Sequence, residues 1–298
     1  MKAAPFEYLV ADAIDDVTTG LADFGDEATI IAGGQTLVPL MAMRLARPAL
    51  LIDVNGIPEL QGIDQAAGGV RIKACTRQSD ALASPIIAQR VPLLAKALPY
   101  VGHAQTRNRG TVGGSIALGD PAAEIPLVAT ALDARITLQK LASTREIPIR
   151  GFYEGPMMTS IEPDECITEI LFPPWQEEGR RGTGFQEVSL RHGDFAIVAA
   201  AAQVIMGEDG VCRRAAVALG GVAGFPFCLT AAEDALTGTV IDDPAVAAAG
   251  AAVDGAVDPQ NDLHASAGYR RRVAKVLVER VIREAAQEAA GGAPGDHP

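Results

Sequence analysis

Residues 28–36 read ATIIAGGQT, and residues 107–126 read RNRGTVGGSIALGDPAAEIP. In the first stretch, the apolar run 28–32 has the length and β-branched content of a buried strand. It stops at Gly33-Gly34. Thr36 stands where a residue would cap a following helix, whose apolar positions are Leu37, Leu40, Met41 and Leu45. Adjacent glycines let the backbone take up φ > 0 and come close to a ligand. Consecutive N–H groups that lead into a helix N-terminus then make a seat for an anion. The alternative for the same residues is an ordinary tight turn.

The second stretch again pairs two glycines, Gly113-Gly114, with hydroxyls at Thr111 and Ser115, and adds Arg107 and Arg109. A diphosphate needs N–H donors from two sides, hydroxyl donors and some compensating charge. The two loops together supply all three, although each arginine taken singly also suits a solvated loop. Asp120 precedes a proline and a helix, which fits a turn or cap residue or a carboxylate that accepts from a ribose or adenine. The run Gly113-x-Ser115-x-Ala117 nearly matches a nucleophile elbow, but its fifth position is alanine. The histidines are His103, His192, His264 and His297, and none has an evident carboxylate to orient it, so hydrolase chemistry is set aside. Walker A, G-x-G-x-x-G and H-E-x-x-H motifs are all missing.

Composition narrows the rest. The 298 residues carry 25 Lys+Arg against 37 Asp+Glu, a net charge of −12. Such a field repels polyphosphate, which argues against nucleic acid as partner. Backbone N–H groups can still hold a phosphate-bearing cofactor. An apolar fraction of 48% supports a globular core, and 31 glycines against one Trp and four Tyr mean that small residues shape any site. The four cysteines, Cys75, Cys166, Cys212 and Cys228, are too dispersed for a C-x-x-C clip or an iron–sulfur spacing, and suit a reducing cytosol. The first eight residues show no signal-peptide pattern. The longest apolar run, 196–206, is too short to span a bilayer and contains Gln203. A cytoplasmic protein without a membrane span is expected.

Periodicity predicts strands over 7–10, 50–54, 70–74, 135–139 and 166–172. Helices are predicted over 11–24, over 84–101 with breaks at Pro85 and Pro92, and over 122–133, with 105–114 as a polar loop. The stretch WQEEGRRGTG (175–184) is charged and nearly free of apolar residues, and marks the main boundary. Strand-like runs follow at 184–190, 195–206 and 214–219. Helices come next, near 231–236, 244–253 and 269–289, the last with Tyr269, Val273, Val276, Leu277, Val281 and Ala285 as its apolar stripe. The order of strands then helices suggests an α+β unit, and residues 291–298 a disordered tail.

The blocks AGGQTLVPLMAMRLARPALLIDVNGIPEL (32–60), 107–126 as quoted above, RHGDFAIVAAA (191–201) and YRRRVAKVLVER (269–280) resemble, in order, the FAD-binding medium subunits of the molybdenum hydroxylases, the family of xanthine dehydrogenase and aerobic carbon monoxide dehydrogenase. The resemblance implies an α+β fold. A vanillyl-alcohol-oxidase (PCMH)-type FAD-binding domain would occupy 1–175 in two subdomains, about 1–56 and 57–175. A small C-terminal α+β domain with an antiparallel sheet would occupy 182–290. It also implies cofactor-binding roles. Ala32, Gly33, Gly34, Gln35, Thr36 and Leu37 would form one diphosphate loop, and Arg109, Thr111, Val112, Gly113, Gly114 and Ser115 the other. Asp120, Glu124, Ile167 and Phe195 would lie near the cofactor. FAD would be non-covalent, since neither loop holds His or Cys. Gln35 stands where many members have His or another polar residue. The position of a flavin-adjacent lysine falls at Gln186 or Glu187.

The same resemblance implies division of labour. A large subunit would carry the molybdenum cofactor and a small subunit the [2Fe–2S] clusters, in a dimer of heterotrimers that delivers electrons to an external acceptor. No acid–base residue and no metal ligand is assigned to this chain. The alternatives are a stand-alone flavin oxidase of the same fold and an assembly subunit that binds no cofactor.

Overall fold

The computed structural model describes residues 2–291, so the tail expected to be disordered, 291–298, lies outside them except for Gly291. Near the N-terminus, strands β1 (Glu7–Val10), β2 (Ala28–Ile31) and β3 (Leu50–Asp53) form a parallel sheet in the order β1-β3-β2. Parallel neighbours need crossovers, and these are helices α1 (Ile14–Phe24) and α2 (Leu37–Ala42). In α1, Val17 and Leu21 face the sheet. Gly20 lets the helix approach closely, because a Cβ there would lie 2.9 Å from Cδ1 of Ile52. The registers Glu7↔Leu50 and Ala28↔Leu50 bring the carboxyl ends of all three strands to one edge.

Five strands make the second sheet. β4 (Ile63–Ala66), β5 (Gly69–Lys73), β6 (Arg135–Lys140), β7 (Ser143–Pro148) and, after a small hairpin of β8 (Tyr153–Gly155) and β9 (Met158–Thr159), β10 (Cys166–Phe172) are antiparallel in the order β4-β5-β10-β6-β7. Between β5 and β6 run α3 (Gln78–Ala83), α4 (Pro85–Arg90), α5 (Pro92–Ala97), α6 (Ala104–Arg107), α7 (Val112–Leu118) and α8 (Glu124–Ala131). Pro85 and Pro92 each begin a helix, as suits a residue with fixed φ and no N–H to leave unpaired. All eight residues of α8 are buried, which makes it the central helix of the core.

The third sheet is antiparallel and follows the order β11 (Arg180–Val188), β12 (Val198–Met206), β13 (Cys212–Gly220) and β14 (Phe227–Cys228). Helices α9 (Thr230–Leu236), α10 (Asp243–Ala251), α11 (Val253–Ala256) and α12 (Ala267–Ala289) cover one face. Strand alternation divides the side chains. Phe185, Ala199, Ala201, Ala216 and Ala218 join the core around α5 and α8, while Val198, Ala200, Ala202, Val217 and Leu219 pack in the core that includes α12. Both faces of β12 are therefore buried, and the core of the first half of the chain continues into the third sheet.

Several sequence expectations need correcting. The predicted loop 105–114 contains α6 and the start of α7, because Thr111 caps α7 with its hydroxyl on the Gly114 N–H. The stretch 175–184 is not all connector. β11 begins at Arg180, and Gly182 and Gly184 are there because α12 lies on them: an added Cβ would overlap the carbonyl oxygens of Ala285 and Val281. Trp175 is itself buried beneath the guanidinium of Arg214, 4.1 Å from its ring centroid. On α12 the buried face is Ala274, Leu277, Val278, Val281, Ile282, Ala285 and Ala289, whereas Val276 is 47% exposed and Tyr269 is also exposed. Arg270 explains the rotation. It is buried, donates to the carbonyls of Ile197 and Gly221, and pairs with Asp262 at 2.5 Å.

Candidate functional site

Ligands of sheets with parallel strands sit at the carboxyl edge, and both the first glycine loop and a polar cluster stand at that edge here. Ala32 to Thr36 follows β2. Among the described residues, the backbone N–H groups of Gly33, Gly34, Gln35 and Thr36 have no protein acceptor. Four consecutive free donors at the mouth of a strand make a concave anion seat. Gly34 adopts φ +69°, the left-handed conformation that such a nest requires. Thr36 occupies the N-cap position of α2, yet its side chain makes no capping bond, which corrects the sequence expectation and leaves its hydroxyl free. The amide of Gln35 turns back on its own loop, with Nε2 donating to the Gly33 carbonyl at 3.1 Å. Leu37 is half-buried and opens α2.

The second glycine loop lies directly against the first. A Cβ on Gly33 would stand 2.5 Å from the carbonyl oxygen of Arg109 and 2.8 Å from Cα of Gly110. Its backbone donors, however, are used within the protein. Val112 N–H donates to Thr76, Gly113 N–H to Ala74, Gly114 N–H to the Thr111 hydroxyl and Ser115 N–H to the Thr111 carbonyl. Gly113 is needed for that approach, since a Cβ would sit 2.6 Å from the Ala74 carbonyl. Gly114 is exposed, and a Cβ there would meet only the Thr111 hydroxyl, at 2.8 Å. The two loops therefore differ in kind: the first offers N–H groups, and the second offers an exposed backbone surface with the half-buried Ser115.

Three residues outside the sequence prediction tie the loops together. Asn55, just past β3, donates from Nδ2 to the Ala32 carbonyl at 2.8 Å. Its Oδ1 accepts from Arg77 Nη2 at 2.7 Å, and Arg77 Nη1 donates to the Arg109 carbonyl. Asp53 steadies Asn55 by accepting from its N–H at 2.9 Å and its side chain at 2.6 Å. Burial alone would raise the Asp53 carboxyl. Hydrogen bonds from Tyr8 and Asn55 and the nearby Arg109 charge outweigh it and hold the group below its ordinary value. The available signal was positional: Asp53 and Asn55 are polar residues at the carboxyl end of an apolar strand.

The other predicted positions lie deeper or farther along. Asp120 is buried, and its Oδ1 accepts from Ala122 N–H at 2.8 Å, the turn geometry its place before Pro121 suggested. Burial raises its carboxyl. Glu124 opens α8, is 4% exposed, and is pushed up to about 7, chiefly by burial, with the Asp120 charge adding to it. Ile167 is buried in β10, in the same core as α8. The next residue, Thr168, accepts from Ala74 N–H at 3.0 Å, which links β10 to the second loop through Ala74. Phe195 is carried by the segment after β11 and is 60% exposed. That segment reaches the first half of the chain at Gly193, where a Cβ would lie 2.6 Å from Nδ1 of His103. The Pro121 carbonyl in turn accepts from Gly221 N–H at 2.8 Å.

Of Gln186 and Glu187, strand parity selects one. Residues Gly182 and Gly184 face α12, so Phe185 and Glu187 lie on the opposite face of the strand, where the Phe185 ring stands 5.2 Å from that of Tyr100. The acidic residue, not the amide, is thus on the side away from α12, with both carboxylate oxygens shut off from solvent.

Comparison with known proteins identifies the family and the fold. Residues 4–175 match the family described as "FAD binding domain in molybdopterin dehydrogenase", and residues 183–285 match "CO dehydrogenase flavoprotein C-terminal domain". The chain is 42% identical over 290 residues to 6-hydroxypseudooxynicotine dehydrogenase complex subunit alpha of Paenarthrobacter nicotinovorans, covering 97% of each. Among solved structures, it superposes with a TM-score of 0.93 on a chain of carbon monoxide dehydrogenase from Hydrogenophaga pseudoflava, at 34% identity over 97% of this chain and 100% of that one. Quinoline 2-oxidoreductase from Pseudomonas putida 86 gives 0.91 at 36% identity, over 97% and 99%. The fold is thus the α+β arrangement of those medium chains, with a C-terminal domain built on an antiparallel sheet. The chain belongs to the FAD-binding medium subunits of the molybdopterin dehydrogenase family.

Proposed function

We propose that this chain holds FAD non-covalently and serves as the electron-transfer station of a molybdenum hydroxylase. It takes electrons from [2Fe–2S] clusters on a small partner subunit and passes them to an external acceptor, while substrate is oxidised at the molybdenum cofactor of a large partner. The observation that carries the reading is the run of four free N–H groups, Gly33 to Thr36, locked beside the second glycine loop. When bound, FAD supplies the exchange between two-electron and one-electron carriers. The residues 32–37 bind the diphosphate through backbone donors, which an acidic chain can do without bulk positive charge. Arg109, Thr111 and Ser115 flank that seat, with Val112 and Gly113 buried beneath them and Gly114 facing outward. By the resemblance, Asp120, Glu124, Ile167 and Phe195 would lie near the cofactor, and the Asn55–Arg77 clamp fixes the spacing of the two loops.

The cysteines support placing the clusters on another chain. Cys75 and Cys166 share one small core, Cys212 lies in another, and Cys228 packs against the Thr130 carbonyl at 3.3 Å. Burial pushes Cys75 up to about 11 and Cys166 up to about 12, away from the thiolate form that an iron ligand needs. Among the described residues, no helix is long and apolar enough to cross a membrane.

Purification of the native assembly tests the proposal. We expect this chain to come with a larger and a smaller subunit as a dimer of heterotrimers. Its FAD should be released by denaturation alone, and molybdenum and iron should stay with the partners. A flavin-containing homo-oligomer that turns over substrate unaided would make it an oxidase instead. A folded assembly without flavin would make it a scaffold.

A further inference from the structure

Part of the apolar stripe of α12 stays outside the core: Val276 is exposed and Val273 is half-buried. With Leu277, and with Val188 of β11, they line a groove of about 310 Å³. Arg272 and Arg280 line the same groove, and both are exposed. The neighbouring cations of the helix are engaged within the chain, Arg270 by Asp262, Lys275 by Asp254, and Arg283 by Asp243 and Glu279. Among the described residues, no carboxylate pairs with Arg272 or Arg280. On a chain of net charge −12, that makes a local positive field beside an apolar groove.

The groove borders a free strand edge. β11 ends its sheet, with β12 as its one strand neighbour. The Thr183 N–H donates to Oε2 of Glu288 at 3.2 Å, and the Thr183 carbonyl accepts from Nζ of Lys96 at 2.6 Å, so both main-chain groups of Thr183 point out of the sheet. The Val188 carbonyl points the other way and accepts from Ile197 N–H at 2.7 Å. Alternation therefore turns the N–H and C=O of Phe185 and Glu187 to the outer edge. No group among the described residues bonds them there. Lys96, held to Glu284 at 2.9 Å and Glu288 at 2.6 Å, closes the edge at Thr183 but not beyond it. Gly182 rests on Ala285, Gly184 on Val281, and Val188 lies beside Val273 and Leu277, so β11 and α12 run in step in opposite directions. A strand added to this edge would run along the groove.

We propose that the outer edge of β11 and the α12 groove take up an extended acidic segment of a partner protein chain, which adds as a strand, sets one apolar side chain among Val188, Val273, Val276 and Leu277, and places two carboxylates on Arg272 and Arg280. Geometry fixes the spacing of that segment. Arg272 and Arg280 are eight residues apart, about 12 Å along a helix, which is about four residues of extended strand. An even separation puts both carboxylates and the residue midway between them on one face. The segment is therefore acidic-x-apolar-x-acidic. The main-chain groups of Phe185 and Glu187 supply the affinity common to any strand, and the two arginines select the sign of charge. None of this needs flavin, so it stands apart from the cofactor reading above.

The test uses the full chain and a labelled nine-residue threonine peptide with Glu in the third and seventh places and Leu in the fifth, beside a twin with Lys for Glu. Fluorescence anisotropy should show the acidic peptide binding wild type about tenfold or more tightly than the basic twin. A chain carrying both Arg272→Glu and Arg280→Glu should reverse that order, and its binding of the basic twin shows that the groove itself is intact. Hydrogen exchange read residue by residue should slow about tenfold or more at the amides of Phe185 and Glu187 when the acidic peptide binds, and stay unchanged at Gln186 and Val188. Equal affinity for the two peptides overturns the role of the arginines. Binding of neither up to about 1 mM overturns the site. Exchange unchanged at Phe185 and Glu187 overturns strand addition. A wild-type chain that sediments as a dimer, and as a monomer with Val276→Glu, assigns the groove to a second copy and overturns the partner segment.

Discussion

Asn55 holds both glycine loops through one amide, so Asn55→Ala should separate them without touching the core. We expect FAD affinity to fall about tenfold or more, the scale of a lost hydrogen bond with its partner left behind. Asn55→Asp keeps an acceptor for Arg77 but loses the donor to Ala32, and should fall between. Flavin-fluorescence titration orders the three. The glycines divide in the same way. Gly33→Ala drives a Cβ into the Arg109 backbone, and should lower stability by about 1–3 kcal/mol as well as flavin retention. Gly114→Val meets only a cap hydroxyl, and should melt near wild type while losing FAD. Thermal melts together with flavin content separate the two outcomes. The glycine pairs were legible in the sequence because each ends an apolar run. Their separate duties were not, since Gly33 and Gly113 answer to backbone atoms of Arg109 and Ala74, which only the folded chain brings near. Asn55 and Arg77 were missed for the same reason.

Elements with an apolar run between turn residues were readable: β1, β2, β3 and β10 lie where alternation or β-branched content places them. Polar edge strands were not. β7 reads STREIP, an edge strand with a mostly exposed face, and resembles a loop in composition. β11 was half lost to its glycines. Their purpose is close packing, and Gly184→Ala tests it: the added carbon must push α12 away from the sheet, and we expect a loss of about 3 kcal/mol or more. A denaturant melt of the full chain measures it; an unchanged midpoint would mean that the helix does not rest on the strand. The register of α12 was misread because a buried arginine, Arg270, outranks the apolar Tyr269 and Val276 once Ile197, Gly221 and Asp262 give it three partners.

At the scale of the whole molecule, the buried acids make stability depend on pH. Glu124 and Glu187 hold their protons up to about 7 and about 8 in the native state, whereas an unfolded chain releases them near the ordinary carboxylate value of about 4.3. The native state therefore binds more protons across that window. The stabilisation from these groups is full below the ordinary value and is lost as pH rises, completely so above about 8. Melting midpoints measured from about pH 5 to about pH 9 should decline, and the decline should flatten when both residues are glutamine. Charge also frames the cofactor question: a chain of net charge −12 must hold a diphosphate by local donors. Calorimetric titration of the flavin-free full chain with FAD and with riboflavin, which lacks the diphosphate, tests that claim most directly. The N–H seat at Gly33–Thr36 predicts that FAD binds and that riboflavin binds about a hundredfold more weakly; equal affinities, or no heat from FAD, would contradict it.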